Sequence, residues 1–397
     1  MEKSLDIKIT RILADRSCRD FILADAKDAD MAYGLSAPGL SPEQHSGEAK
    51  FKSLDQYRQQ IREVIAQGLV DIVLMSASSN EVLTIRERLF ENSAITPAIR
   101  ANDATDIWLA GQEGVYGAEP SRPFRSATIN HAMCGKAECS PEERKLGADL
   151  GLYSVTFNNN MERDYQTLTA YAQFRLEAEK KGFRHFLEVF SPNACGPNCP
   201  NDIPKFINDH IARTLAGVVG KSRPVFLKIP YLGPHAMESL ASYDSSLVVG
   251  ILGGSAGTTF DAFKMLADAK KYGARVALYG RKINNAEHQT TFIKYLRAIA
   301  DEQISPEEAV KAYHADLLRL NIRPKRTLEE DMATTVSTDS YSGKSQAASA
   351  AHVNNSACCQ GTKADPSQEF DPNPDFANMT QQEKLRWNQQ RLTRIFG

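Results

Sequence analysis

The sequence predicts an α/β fold, a (β/α)8 TIM barrel. Three observations carry this: short β-rich runs alternate with helical stretches along the chain, the runs number eight, and the eight units fit within about 280 residues, close to the ~250 of an ordinary barrel. A doubly wound open sheet is the main rival, but no GxGxxG turn follows the first strand. The strands are expected at Phe21–Asp25, Asp71–Ser76, Thr96–Arg100, Leu152–Asn158, Arg184–Phe190, Pro224–Tyr231, Leu247–Gly253 and Arg275–Gly280. The periodicity predicts helices at Leu54–Gln67, Asn80–Phe90, Arg163–Lys181, Ile203–Val219, His235–Ser242, Thr259–Lys271 and Glu287–Glu302. Two long insertions, Ala26–Lys52 and Ala101–Ala148, fall where βα loops form the catalytic face.

The chain divides into a barrel over residues 1–325, a low-complexity linker over 326–378 and a short amphipathic helix over 379–397. The linker has too few large apolar residues to order itself, so the tail is expected to be mostly disordered before its helix. Thr380 and Glu383 form a capping box ahead of Leu385, Trp387, Leu392, Ile395 and Phe396, a face expected to dock on the barrel or a sister subunit of a homo-oligomer, with a separate partner as the alternative.

Of the 397 residues, 42% are hydrophobic and 24% charged, an ordinary globular balance. Lys plus Arg number 47 against 49 Asp plus Glu, a net charge of −2. No global field therefore favours nucleic acid or an anionic membrane, and any anion must be bound locally. The longest apolar run, near Leu247–Gly254, is far short of a membrane span. The N-terminus lacks the apolar region of a secretory signal, so a cytoplasmic protein is expected. The odd count of seven cysteines argues for reduced thiols rather than a disulfide framework. The spacings of Cys134 with Cys139 and of Cys195 with Cys199 are not those of common zinc sites, and no metal is assigned.

Chemistry is expected at the carboxyl ends of the strands. In PVFLKIPY, alternation turns Val225, Leu227 and Ile229 toward the helices and Phe226 and Lys228 toward the barrel axis. Partial desolvation there favours the neutral amine that attacks a carbonyl to form a Schiff base. Glu188 in FRHFLEVF and Asp25 in FILAD are expected to point the same way and to supply a charge partner and a general acid/base. Gly253, Gly254 and Ser255 form a glycine-rich turn running into a helix, and Gly280 and Arg281 end the eighth strand beside it. Backbone N–H groups, a helix N-terminus and a guanidinium make that pair of loops a phosphate site. Arg122, Arg125 and His131 in the second insertion are weaker candidates, and the run Asn158–Asn160 is explained by turn chemistry. Two other readings keep the fold: a metal-dependent isomerase or hydrolase using Asp25, Glu188, His131 or His185, and a non-catalytic sugar-phosphate-binding barrel.

Together, Asp25 with Lys27, the glutamate of FLEVF, the lysine of FLKIPY, the GGSAG turn and the final YGRKIN resemble the class I, Schiff-base aldolases of the superfamily that holds deoxyribose-phosphate and fructose-bisphosphate aldolases. Within it the look is nearest to tagatose-bisphosphate and sulfofructose-phosphate aldolases. The likeness runs in motif order from about Phe21 to Glu302. It implies cleavage of a phosphorylated ketose to dihydroxyacetone phosphate and an aldehyde, with no cofactor beyond the covalent lysine adduct. Lys228 would form the imine, Glu188 move protons and Asp25 orient the substrate. Lys27, in the place of an arginine, would join Gly253, Gly254, Ser255, Gly280 and Arg281 in binding substrate and phosphate.

Overall fold

The computed structural model describes residues 1–15, 17–39, 51–108, 115–254, 257–335 and Trp387. Eight parallel strands close into a barrel: β1 (Ile22–Lys27), β2 (Ile72–Met75), β3 (Thr96–Arg100), β4 (Leu150–Thr156), β5 (Arg184–Phe190), β6 (Leu227–Ile229), β7 (Val249–Leu252) and β8 (Val276–Tyr279). Each strand pairs with its neighbour in sequence, and β8 returns to β1 with Ile22 opposite Val276. Every expected strand is present.

The side chains divide by strand parity into two cores. Inside the barrel, Ile22, Ala24, Leu74, Leu152, Phe186 and Phe226 belong to one buried cluster. The Phe186 and Phe226 rings stack 4.5 Å apart, adding about 1 kcal/mol beyond the area they bury. Outside, Leu23, Val73, Val155, Leu187, Leu227 and Ile251 pack under the helices.

Those helices are α2 (Leu54–Gln67), α3 (Met161–Lys181), α4 (Ile203–Leu215), α5 (Pro234–Tyr243), α6 (Thr259–Lys271), α7 (Arg281–Asn284), α8 (Gln289–Ala300) and α9 (Pro306–Arg319), and α1 (Ser4–Ala14) precedes them all. The sequence marks α2 at both ends, by a capping box at Ser53 and Gln56 and a left-handed Gly68. The expected helix at Asn80–Phe90 is instead a turn of α-helix, Ala77–Asn80, continued by a π-helical stretch, Glu81–Arg86. Among the described residues no helix is long and apolar enough to cross a membrane.

Helix α1 lies across the amino ends of the strands. Ser4 N donates to Ala94 O, Lys8 Nζ reaches Phe21 O and Asp71, and Asp6 pairs with Arg184. Its Leu5 is fully buried in the interior cluster, with Ile9 and Ile12 packed behind it.

Part of the expected linker is ordered on the barrel. Residues 326–335 contain α10 (Leu328–Met332), whose buried Asp331 accepts from Thr259 N at 2.8 Å and lies 3.0 Å from His314 Nε2. Polar composition hid this segment because, apart from Met332 packed against the core, it docks through hydrogen bonds. The rest of the linker and the C-terminal helix lie outside the described residues, save Trp387.

The reduced-thiol reading is also corrected, since Cys134–Cys139 and Cys195–Cys199 are disulfides. Each pair sits in one short loop that brings its Cα atoms to 6.1 and 4.6 Å, and bonding follows that proximity rather than the parity of the total count. Cys18 is a free thiol.

His185, on the outer face of β5, meets Tyr171 Oη at 2.8 Å inside the α3 layer, and burial pulls its pKa down to about 3. The unfolded chain, with a histidine pKa near ~6.5, therefore takes up a proton before the folded one does. Stability should fall as pH drops from about 6.5 to 3, by an amount on the order of 4 kcal/mol at the lower limit. Urea denaturation of wild type and His185→Phe across that range is the check. The variant should lose less between pH 7 and 4, and parallel curves would remove His185 as the cause.

Candidate active site

The parallel register assembles the centre of the site. Ser154 on β4 stands opposite Glu188 on β5, which stands opposite Lys228 on β6. All three have inward parity, following Leu152, Phe186 and Phe226 toward the carboxyl end. Lys228 Nζ lies 2.5 Å from Glu188 Oε1, and Ser154 Oγ donates to Glu188 Oε2 at 2.6 Å. Lys228 is 3% exposed and Glu188 fully buried, so the ammonium has exchanged water for one carboxylate.

A second cation flanks the pair. Arg100, at the end of β3 and on the inward parity of Ala98, is fully buried. Its Nε donates to Asp28 Oδ2 at 2.6 Å, Nη1 to Ser154 Oγ at 3.2 Å, and Nη2 lies 3.8 Å from Glu188 Oε2. Asn102 secures Ser154 by accepting from its N at 2.7 Å and donating to its O at 2.9 Å. Asp28, Arg100, Ser154, Glu188 and Lys228 thus form one buried network across five strand ends. Sequence reading missed Asp28 and Arg100, although alternation from Ala98 aims Arg100 inward.

Above the network is a cleft lined among others by Asp28, Tyr33, Lys228, Gly253, Gly254, Gly280 and Arg281. The two loops that build its far side need glycine for close approach. A Cβ on Gly253 would sit 2.2 Å from the Tyr279 ring, and one on Gly280 would lie 2.9 Å from Ala26 O. Arg281 stacks over Tyr33, its Cζ 5.5 Å from the ring centroid. Lys282, pulled down to about 8 by burial, donates to Gly257 O at 2.7 Å. At the N-terminus of α6, Thr258 N and Asp261 N close a capping box, and Thr259 N goes to Asp331. An anion in the cleft would meet the backbone at Gly253–Gly254 and Gly280 and the Arg281 guanidinium.

The expected residues divide accordingly. Lys228, Glu188, Gly253, Gly254, Gly280 and Arg281 come together around the cleft, while Ser255 lies outside the described residues. Asp25 and Lys27 do not join them. Both follow Leu23 onto the outer face of β1, because Ile22, Ala24 and Ala26 fill the interior. Lys27 Nζ donates to Asn284 Oδ1 of α7 and Gln289 Oε1 of α8, and it lies 3.2 Å from Asp25 Oδ2. Burial raises the Asp25 pKa and lowers that of Lys27, each against the pull of the other. This fully buried pair anchors the helices behind the β8 loop. His185 and the exposed His131 are likewise elsewhere, Arg125 pairs with Glu177 of α3, and Asn158 is bonded within the β4 and β5 loops.

The second insertion packs beside the ends of β5 and β7. Its ribbon, Asp103–Ala104 against Pro123–Phe124, brings Ala104 and Ile107 onto Phe190 and Leu252. Asp106 accepts from Ser121 Oγ and Thr156 Oγ1, each at 2.8 Å, and burial raises its pKa, with Glu188 adding to the rise.

The same barrel occurs in solved structures. An archaeal fructose 1,6-bisphosphate aldolase superposes with a TM-score of 0.51 at 18% identity, over 75% of this chain and 99% of that one. The chain shares the (β/α)8 barrel fold of that enzyme. A Schiff-base-forming fructose-1,6-bisphosphate aldolase, solved for its reaction intermediates, gives a TM-score of 0.51 and 18% identity over 76% of this chain and 100% of its own. No family model and no curated protein sequence matches this chain.

Proposed function

We propose that this chain is a class I aldolase-type carbon–carbon lyase that cleaves, or in reverse condenses, a phosphorylated ketose through a Schiff base on Lys228, giving dihydroxyacetone phosphate and an aldehyde. The observation that carries the reading is the 2.5 Å contact between the buried Lys228 amine and Glu188 at the floor of a cleft whose far side is glycine-rich backbone and Arg281. Passing the ammonium proton to Glu188 frees the Nζ lone pair to add to the ketone carbon. The carbinolamine then loses its oxygen as water and becomes the imine. On cleavage, the electron pair of the broken C–C bond moves into the enamine while the hydroxyl of the departing aldehyde gives up its proton. Glu188, steadied by Ser154 Oγ, is the group in place to exchange these protons. The resemblance drawn from FLEVF, FLKIPY and YGRKIN supports the same assignment, and the fold shared with known aldolases agrees with it.

The direct test is borohydride reduction with dihydroxyacetone phosphate and a panel of ketose phosphates, followed by peptide mass spectrometry. A reduced adduct on the peptide holding Lys228 is expected, and no adduct with any compound would refute the proposal. Arg281→Ala should weaken phosphorylated ligands at least about tenfold more than their dephosphorylated analogues, since a charge-assisted contact of roughly 1.5–3 kcal/mol is lost only for the former. Competition against trapping measures both, and equal losses would take Arg281 out of phosphate binding.

A further inference from the structure

Helix α3 is apolar on two sides. One side, with Tyr171, Phe174 and Ala178, is buried against the barrel. The other, with Met161, Tyr165, Leu168, Ala172 and Leu176, advances by three or four residues at a time and so forms one line down the helix. Its four large members are 39–89% exposed, and no other helix among the described residues sets four such side chains in a line. The apolar surface continues past the helix end: Val219, also exposed, stands shortly before Ser222, whose Oγ donates to Glu179. An exposed strip of this length marks a surface that meets a partner.

The charges along α3 identify that partner. The helix carries four acidic and four basic side chains, with Glu162 and Asp164 in its first turn and Lys180 and Lys181 in its last. Glu162 and Lys180, both exposed, are 18 residues or five full turns apart, so they lie on one line beside the apolar one. When two copies of α3 pack antiparallel about a twofold axis near residue 170, Glu162 of each meets the partner's Lys180, Tyr165 meets the partner's Leu176 and Leu168 meets the partner's Ala172. All three pairings fall at the same register to within one residue. Residues 379–397 are the other apolar segment available in this chain, but they carry four basic side chains against one acidic, which suits an acidic face, whereas the α3 face is balanced. From this self-complementarity we infer that the chain forms a twofold-symmetric dimer, in which the outer line of α3 packs antiparallel on that of a second copy.

Sedimentation equilibrium on the full chain tests it. A reversible monomer–dimer equilibrium is expected, and a monomer at every concentration reached would overturn the inference. Leu176→Glu, at an exposed position outside the barrel core, should weaken the dimer at least about tenfold, because the symmetry places the change twice in one interface. Unaltered affinity would overturn the inference and move the contact to another surface, such as the C-terminal segment. Glu162→Lys and Lys180→Glu should each weaken the dimer, and the two changes together should restore it to within about threefold of wild type, since each copy again meets an opposite charge. Failure of the exchange to restore affinity, in variants that circular dichroism shows to be folded, would overturn the antiparallel pairing.

Discussion

Lys228→Ala should lower kcat by at least about 1000-fold, because no other amine among the described residues shares the floor of the cleft with Glu188, and removing a covalent nucleophile removes the route itself rather than one contact. The fold should survive. Glu188 keeps the Ser154 hydroxyl at 2.6 Å and Arg100 at 3.8 Å, so the loss of stability should stay below the roughly 3–5 kcal/mol typical of a buried carboxylate left alone. Circular dichroism and urea denaturation would establish folding, and a coupled assay would read turnover. Residual activity above a tenth of wild type in a folded variant would sink the assignment.

Arg100→Met has the largest expected effect on stability, a loss of about 3–5 kcal/mol. The guanidinium is fully buried, and its removal leaves Asp28 without its 2.6 Å donor and Glu188 with one counter-charge instead of two. Pairing the change with Asp28→Asn should restore part of the loss, since both halves of the closest ion pair are then gone. Denaturant midpoints for the two single variants and the double would decide it. A single-variant loss under about 1 kcal/mol would mean that water already reaches this network.

How far the sequence could be read depended on the contrast between the two faces of each strand. On β6 an aromatic and a lysine alternate with Val225, Leu227 and Ile229, and on β5 Phe186, Glu188 and Phe190 share one side, so the two central residues were legible together. On β1 both faces are apolar at the start, Ile22 and Ala24 on one and Leu23 on the other, and parity had no visible sign. The small alanines proved to be the inward set, which leaves room at the barrel axis for Phe186 and Phe226. Asp25 was therefore placed on the wrong side, and the inward carboxylate, Asp28, stands one residue past the strand. Arg100 escaped notice because it abuts the long insertion, where arginines are ordinarily solvated. The docking of residues 326–335 was illegible for another reason: its anchors, Asp331 on Thr259 N and Thr335 on Asp261, are polar.

The alternation along ADAKD in β1 makes that strand a selector. Asp25 and Lys27 serve the scaffold on one side, while Ala26 and Asp28 serve the cleft on the other. The pairing of Asp25 with Val73 and Tyr279 fixes which set faces which way. A slip of one residue would carry a lysine and an aspartate into the mouth and bury Asp28 among the helices, with no change in composition. Hydrogen-bond register, a property usually counted only toward folding, here decides which charges a ligand meets.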